Sequence, residues 1–371
     1  METDSLEHNQ ISDLSKKGYR LMKENRTAEA IACFNEILAA EENNNYALVG
    51  MGDATRKQGQ FRNAVPFYQR CLALHPGNRY ALFGLADCYK ALNQYHKAIK
   101  IWDQYLIHDS RNISVLTRVA DTCRKVREYN RSKEVYLQVF EIDPQNPYAI
   151  TGMGHLYYDL KEFRKAMAYW ERMLASGKEK VDIHVLTLIG NCHRKLRSFK
   201  EGIGFFEMAL AKEPDNFYAL FGLADCHRGL SQQNRALEYW NRILDRDPHN
   251  KVILSRAGDA YRHLNEPKKA VEYYNRVLDS EFYTYAVLGL AIVAKFQGRY
   301  DEAIESLKRL IQQDLHNYRL YVEMADCQLK KNEKYKAMEI LEEFQHLGIR
   351  NEKVNDLLEK LKPEKHSGKT L

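Results

Sequence analysis

Small and large apolar residues recur along this chain at fixed distances from one another. In each case a small residue precedes a large apolar one by four positions, so both lie on the same face of a helix. The pairs are Ala30 with Phe34, Ala64 with Tyr68, Ala98 with Trp102, Ser132 with Tyr136, Ala166 with Trp170, Gly202 with Phe206, Ala236 with Trp240, Ala270 with Tyr274, Ala303 with Leu307 and Ala337 with Leu341. Successive pairs lie 34 residues apart, except for one step of 36 and one of 33. This regularity predicts about ten tandem copies of one structural unit.

A second small residue lies twelve positions before the first in every copy. These residues are Gly18, Gly52, Ala86, Ala120, Gly154, Gly190, Ala224, Gly258, Ala291 and Ala325. Small residues at two fixed points allow two helices to approach closely, and the aromatic residue then fills the space next to the following unit. Short polar segments such as KQGQF and ALNQY separate the two helices and favour a tight turn. Each copy is therefore predicted to be a helix-turn-helix.

The pattern resembles the tetratricopeptide repeat family over residues 11–348. The matching features are the period, the small residue of the first helix, the alanine and aromatic of the second, and the prolines after several second helices (Pro76, Pro144, Pro214 and Pro248). Leucines such as Leu14 and Leu48 replace the early tryptophan of the family. The resemblance implies an all-α fold, a right-handed superhelical solenoid whose first helices line a concave groove that binds other proteins.

The repeat divides the chain into four parts. Residues 1–10 are predicted to be an N-terminal extension, 11–348 the solenoid, 351–361 a C-terminal capping helix and 362–371 a flexible tail. The repeats are expected near residues 11–44, 45–78, 79–112, 113–146, 147–182, 183–216, 217–250, 251–283, 284–317 and 318–350. The amphipathic pattern of the capping helix suits a cover for the exposed end of the last repeat.

Two segments of the chain are nearly identical, four repeats apart. RYALFGLADCYKAL occupies residues 79–92 and FYALFGLADCHRGL occupies residues 217–230. The two-residue excess in the period falls between them, within residues 176–184. We interpret repeats two to five and six to nine as copies of one ancestral block.

Charged residues occupy two slots, three positions apart, on the first helices. The first slot holds Asp53, Asp87, Asp121, Asn191, Asp225, Asp259 and Asp326. The second slot holds Arg56, Lys90, Arg124, Arg194, Arg228 and Arg262. Residues three apart share a helix face, so stacked repeats are expected to form an acid–base ladder along the groove. The ladder is interrupted by His155 and Tyr158 in the fifth repeat and by Ile292 and Lys295 in the ninth.

The ladder has two interpretations. In one, it sets the angle at which the repeats stack and binds nothing, since surface ion pairs contribute little. In the other, its arginines and carboxylates bind the backbone and charges of a peptide. Aromatic residues earlier on the same helices favour the second interpretation, because aromatics beside arginine are common in binding hot spots. They are Tyr46, Tyr80, Phe83, Tyr148, Tyr218, Phe221 and Tyr285.

The first helix of the ninth repeat, TYAVLGLAIVAKF, is apolar nearly all round. Its residues Tyr285, Leu288, Ile292 and Phe296 fall at helical spacing on the face that is polar in the other repeats. Such a helix is either buried or binds something. It is covered by the C-terminal helix or by a second copy of the chain, or it anchors an apolar side chain of a partner in the groove.

Composition and motifs exclude several other functions. The net charge of +6 comes from finely interspersed basic and acidic residues rather than from a basic stripe, which disfavours nucleic acid as the main partner. No glycine-rich phosphate loop, HExxH pair, GxSxG elbow or CxxC pair occurs. Adjacent cysteine and histidine residues, at 192–193 and 226–227, point apart on a helix, so no metal site is predicted. The chain is therefore interpreted as non-enzymatic, without a cofactor.

The sequence also bounds the compartment and the ligand. The first ten residues lack the apolar core of a signal peptide, and the seven cysteines, four of them in one helical slot, are expected to be buried thiols. We therefore expect a cytoplasmic protein. The chaperone-clamp members of the family grip a C-terminal carboxylate, but the corresponding slots here hold Val49, Asp53, Phe83, Asp87, Thr117 and Asp121. That activity is not carried over.

The leading hypothesis is an adaptor that binds an extended peptide or a helix of a partner protein in its groove. One alternative is a nucleic-acid binder that uses the arginines and lysines of the ladder. Another is a regulatory or assembly subunit of a larger machine.

Overall fold

The computed structural model describes residues 2–175, 182–279 and 282–362. Within these ranges the chain forms helices joined by short turns, without a strand, which confirms the predicted all-α class. The chain divides into two compact units, Met1–Val181 and Asp182–Leu371. The boundary coincides with the extra residues of the period, of which 176–181 lie outside the described residues, as does most of the predicted tail.

The described part of the first unit consists of five helical hairpins. Their helices are α1 (Glu2–Lys23), α2 (Thr27–Ala40), α3 (Asn45–Lys57), α4 (Phe61–Leu74), α5 (Arg79–Ala91), α6 (Tyr95–His108), α7 (Ile113–Lys125), α8 (Tyr129–Ile142), α9 (Pro147–Asp159) and α10 (Phe163–Ala175). The first helix of each hairpin, here the A helix, packs against the second, the B helix, and within the unit each B helix from α2 to α8 packs against the next A helix. Helix α1 begins at Glu2 and so includes most of the residues predicted as an extension.

The second unit repeats this arrangement and ends in one additional helix. Its helices are α11 (Ile183–Lys195), α12 (Phe199–Lys212), α13 (Phe217–Gly229), α14 (Gln233–Leu244), α15 (Lys251–His263), α16 (Pro267–Leu278), α17 (Thr284–Phe296), α18 (Tyr300–Gln313), α19 (Tyr318–Lys330), α20 (Lys334–His346) and α21 (Glu352–Leu361). Helix α21 packs on α20 and buries Val354, Leu358 and Leu361 in the apolar cluster of the last repeats.

Most A helices begin after an asparagine whose side-chain oxygen accepts a hydrogen bond from a backbone N–H three residues on. These caps are Asn44, Asn78, Asn112, Asn146, Asn216 and Asn250. Such a cap contributes about 1 kcal/mol relative to alanine. The B helices α4, α8, α12 and α14 end shortly before the prolines that predicted their ends.

In several repeats the B-helix aromatic fits between two A helices. Tyr68 of α4 is fully buried, and a Cβ atom added to Gly52 of its own A helix would lie 2.6 Å from Tyr68 Cε1. A Cβ atom on Gly84 of the next A helix would lie closer still to the same ring. Small residues on both sides are therefore needed for the ring to join consecutive repeats, as the period predicted.

The turn between the two helices of each hairpin contains one residue in the left-handed conformation. In eight repeats this residue is not glycine, and its φ lies near +60°. The eight are Asn25, Asn93, Arg127, Lys161, Arg197, Ser231, Asn265 and Asn332, while Gly59 and Gly298 take the same place elsewhere. This conformation costs an ordinary L-residue about 1 to 2 kcal/mol.

Arg127→Gly is expected to raise the free energy of unfolding by about 0.5 to 1 kcal/mol. Glycine relieves the strain at φ +65°, and its greater freedom in the unfolded chain offsets part of the gain. Urea unfolding followed by circular dichroism measures the change. Gly59→Ala, at the same turn position, should have the opposite sign. A destabilised Arg127→Gly variant would contradict the strain argument.

Candidate functional site

The A helices of consecutive repeats form one surface in each unit, here called the A-helix face, and the ladder residues lie on it. Arg56 is the clearest example in the first unit. Its guanidinium is 3.1 Å from Asp53 of the same helix and 3.6 Å from Asp87 of the next A helix. The acid and base slots therefore join neighbouring repeats as well as residues of one helix.

The second unit shows the same geometry with a more buried acid. Arg194 Nη1 lies 2.8 Å from Asp225, and Arg228 Nε lies 3.4 Å from it. The side chain of Asp225 is only 1% exposed. Because two further arginines besides Arg228 surround this carboxylate, its charge is neutralised within the protein and does not face a ligand.

Several ladder acids are also bonded to the buried B-helix tyrosines. The hydroxyl of Tyr68 donates to Asp53 at 2.7 Å, and that of Tyr274 donates to Asp259 at 2.8 Å. Burial, reinforced by the nearby carboxylate, raises the pKa of both tyrosines, so they remain hydrogen-bond donors. These contacts give the ladder a structural role.

The ladder departs from its sequence pattern at several positions. Arg124 pairs with Asp159 of the next repeat at 2.6 Å, whereas Asp121 accepts from the hydroxyl of Tyr136. Lys295, taken as part of an interruption, instead continues the ladder, because its ammonium lies 2.7 Å from Asp326 and 2.6 Å from Glu323. The interruption in the ninth repeat is therefore confined to Ile292, which offers Lys295 no carboxylate on its own helix.

Two residues of the A-helix face were missed by the sequence interpretation. Arg118 bonds Asp87 of the preceding repeat at 3.0 Å, and Arg256 bonds Asp225 in the same way. Each guanidinium also lies 4.8 Å from the centre of a phenylalanine ring, that of Phe83 or Phe221. The sequence could have indicated both arginines, because each replaces a residue that is glycine in most other repeats.

The predicted tyrosines of the A-helix face are exposed. Tyr46, Tyr80, Tyr148, Tyr218 and Tyr285 have between 63% and 78% of their surface accessible. The fifth repeat differs, since His155 and Tyr158 pack with their rings 5.5 and 6.2 Å from that of Trp170.

Models of the tetratricopeptide repeat match residues 55–116, 113–146, 187–251, 229–281 and 297–348, together more than half of the chain. The chain belongs to the tetratricopeptide repeat family. Such repeats typically mediate protein–protein interactions, and the family is usually non-catalytic. The family therefore implies protein partners for this chain.

Solved structures of helical-repeat proteins also match. A tetratricopeptide repeat protein from Parabacteroides merdae is 15% identical, with a TM-score of 0.40, over 77% of this chain and 99% of its own. Yeast Tom70 is 12% identical, with a TM-score of 0.49, over 95% of this chain and 96% of its own. No curated protein matches the chain in sequence. These similarities concern the fold alone.

The ninth repeat of this tetratricopeptide repeat protein does not provide the predicted apolar anchor. Leu288 and Ile292 are each only 5% exposed and lie in an apolar cluster with Leu307 of α18 and Leu320 of α19. Their side chains are buried within the chain, so they were wrongly included among the groove candidates. Tyr285 and Phe296, at the ends of the same helix, are exposed as predicted.

The thiols of this tetratricopeptide repeat protein are buried and unreactive. All seven cysteines are free and buried, as predicted. Burial raises the pKa of Cys88, Cys192 and Cys226 to about 12, so these thiols stay protonated at neutral pH. Across the described residues, no group of histidine, cysteine, aspartate or glutamate side chains could hold a metal ion. None of the described helices is both long enough and apolar enough to span a membrane.

Proposed function

We propose that this protein is a non-catalytic adaptor whose A-helix face binds an extended peptide or a helix of a partner protein. The observation that carries this proposal is the set of exposed tyrosines on the A helices, on α3, α5 and α9 in the first unit and on α13 and α17 in the second. Each tyrosine offers a large rigid surface that loses little conformational freedom on binding. An extended or helical segment can contact several of them at once.

The ladder supports binding indirectly. Arg56 is held by acids from two repeats, so a ligand that meets it does not have to order a flexible side chain. Arg262 is mostly buried and bonded to Asp259 at 3.2 Å, which makes it a structural residue. Arg228 is more exposed and is the better candidate for ligand contact.

Nucleic acid is a weaker candidate for this face. Binding to a phosphate backbone requires positive charges that phosphates can neutralise. Here most ladder arginines are already paired with carboxylates, as at Arg56 and Arg194. The alternation of acids and bases suits the mixed polarity of a peptide better.

The test uses peptides selected from a random displayed library against the full-length protein. We expect Tyr80→Ala with Tyr148→Ala to weaken the selected peptides at least about tenfold, because hot-spot tyrosines contribute more than about 1 kcal/mol each. Fluorescence anisotropy measures the affinity, and circular dichroism confirms the fold. The matched control is Tyr335→Ala, an exposed tyrosine on the B helix α20.

Unchanged affinity in the double variant would exclude Tyr80 and Tyr148 as part of the binding surface. The same losses in Tyr335→Ala would show that the effect is not specific to the A-helix face. Selection of no peptide at all would overturn the proposed function.

A further inference from the structure

The two units contain the same cluster of side chains at corresponding positions, 138 residues apart. In the first unit Arg118 lies over Phe83, and in the second Arg256 lies over Phe221, both at 4.8 Å. Asp87 and Asp225, the acids that bond these arginines, also correspond to each other. The two units therefore contain the same local arrangement of an arginine, a phenylalanine ring and an aspartate.

Arg118 and Arg256 each line a cleft on the A-helix face of their own unit. The first cleft has a volume of about 570 Å³ and the second about 690 Å³. Their linings share corresponding positions: Lys90 and Arg228, Thr117 and Ser255, Arg118 and Arg256, Asp121 and Asp259. An exposed tyrosine stands at the same place in both, Tyr148 in the first and Tyr285 in the second.

The first cleft has an excess of positive charge. Four basic and two acidic residues line it, and both acids already have partners. Asp87 is bonded to Arg118, and Asp121 accepts from Tyr136. Lys90 and Lys125 form no ion pair with any described residue and lie over aromatic rings at 5.8 and 5.6 Å. Burial is the main cause that lowers the pKa of Lys90, and an incoming carboxylate would counter it.

The second cleft also has an excess of positive charge, provided by different residues. Arg228, Arg256 and Arg319 line it with a single acid, Asp259, which is bonded to Tyr274 and Arg262. Arg319 has no ion-pair partner among the described residues. Burial lowers the pKa of Arg256 here as it does for Lys90 in the first cleft. An anionic ligand with an apolar side chain would meet cationic side chains and a tyrosine ring in both clefts.

We infer that the two clefts are duplicate sites for one class of ligand, an acidic peptide segment with an apolar residue beside its carboxylates. The inference rests on the proposed function, which it deepens by naming the chemistry and number of the ligands. One chain would bind two such segments, and a partner that contains both would gain affinity from their linkage. A nucleic acid fits less well, because carboxylates interrupt the positive charge along the face.

The test titrates the full-length protein with a synthetic peptide in which aspartate and glutamate alternate with leucine and phenylalanine. Isothermal titration calorimetry should give two peptides per chain, with an affinity that falls as salt rises. Lys90→Glu and Arg228→Glu, at corresponding positions, should each reduce the stoichiometry to one. The double variant should bind the peptide at least about tenfold more weakly than the wild-type protein. Lys100→Glu, an exposed lysine on the B helix α6, is the matched control.

A second pair of variants, Tyr148→Ala and Tyr285→Ala, alters exposed side chains and should leave the fold intact. Each should weaken peptide binding at one site. One peptide per wild-type chain, or unchanged binding in the double charge variant, would overturn the inference. So would equal binding of a peptide with lysine at every acidic position, or tighter binding of a single-stranded oligonucleotide. Library-selected peptides that still require Tyr80 and Tyr148, with no binding of the acidic peptide, would reject this inference and leave the proposed function standing.

Discussion

Ile292→Asp is expected to lower the free energy of unfolding by about 2 to 4 kcal/mol. Ile292 occupies the slot that holds an acid in most repeats, but its side chain is buried in the apolar cluster of α17, α18 and α19. The nearest ladder cation on its helix, Lys295, is already bonded to Glu323 and Asp326. The new carboxylate would therefore be buried without a partner of its own.

Phe296→Asp is the matched control for this substitution. It introduces the same charge on the same helix at a position that is 72% exposed, so its effect should stay within about 0.5 kcal/mol. Urea unfolding at equal protein concentration measures both variants. Equal stability of the two variants would show that Ile292 is accessible and would support its interpretation as an apolar anchor for a partner.

Trp240→Ala is expected to have the largest effect, a loss of about 3 to 5 kcal/mol in the free energy of unfolding. Trp240 is fully buried in a cluster that joins α13, α14 and α15. Its removal leaves a cavity between two repeats. Because a repeat contacts only its neighbours, the loss should be concentrated in the second unit.

Hydrogen exchange measured by mass spectrometry locates this loss. Peptides from α13 to α16 should exchange faster in the Trp240→Ala variant, and those from α3 to α6 should change far less. Tyr218→Ala, an exposed aromatic on α13, serves as the control and should leave both regions unchanged. Equal acceleration throughout the chain would contradict the nearest-neighbour account of stability.

The acid–base ladder shows how far local sequence reasoning extends. Residues three apart on a helix were expected to pair, and Arg56 with Asp53 does so. Arg118 is bonded to Asp87 of the preceding repeat. Which acid Arg118 reaches depends on the distance between neighbouring A helices. No spacing along the chain specifies that distance. The unusual arginines of the fourth and eighth repeats were visible in the sequence, but their partners were not.

The sequence by itself determined the repeat, the hairpins and the buried thiols. Each depends on contacts within a repeat or with its immediate neighbour, and the small and aromatic residues that make those contacts recur with the period. Only the tertiary structure decided which side chains of the A-helix face are accessible. Leu288 and Ile292 are covered by side chains from later helices, and Asp225 is enclosed by arginines from three successive A helices. The exposure of a side chain depends on all of its neighbours in space, whereas a helical period identifies only the neighbours on the same helix.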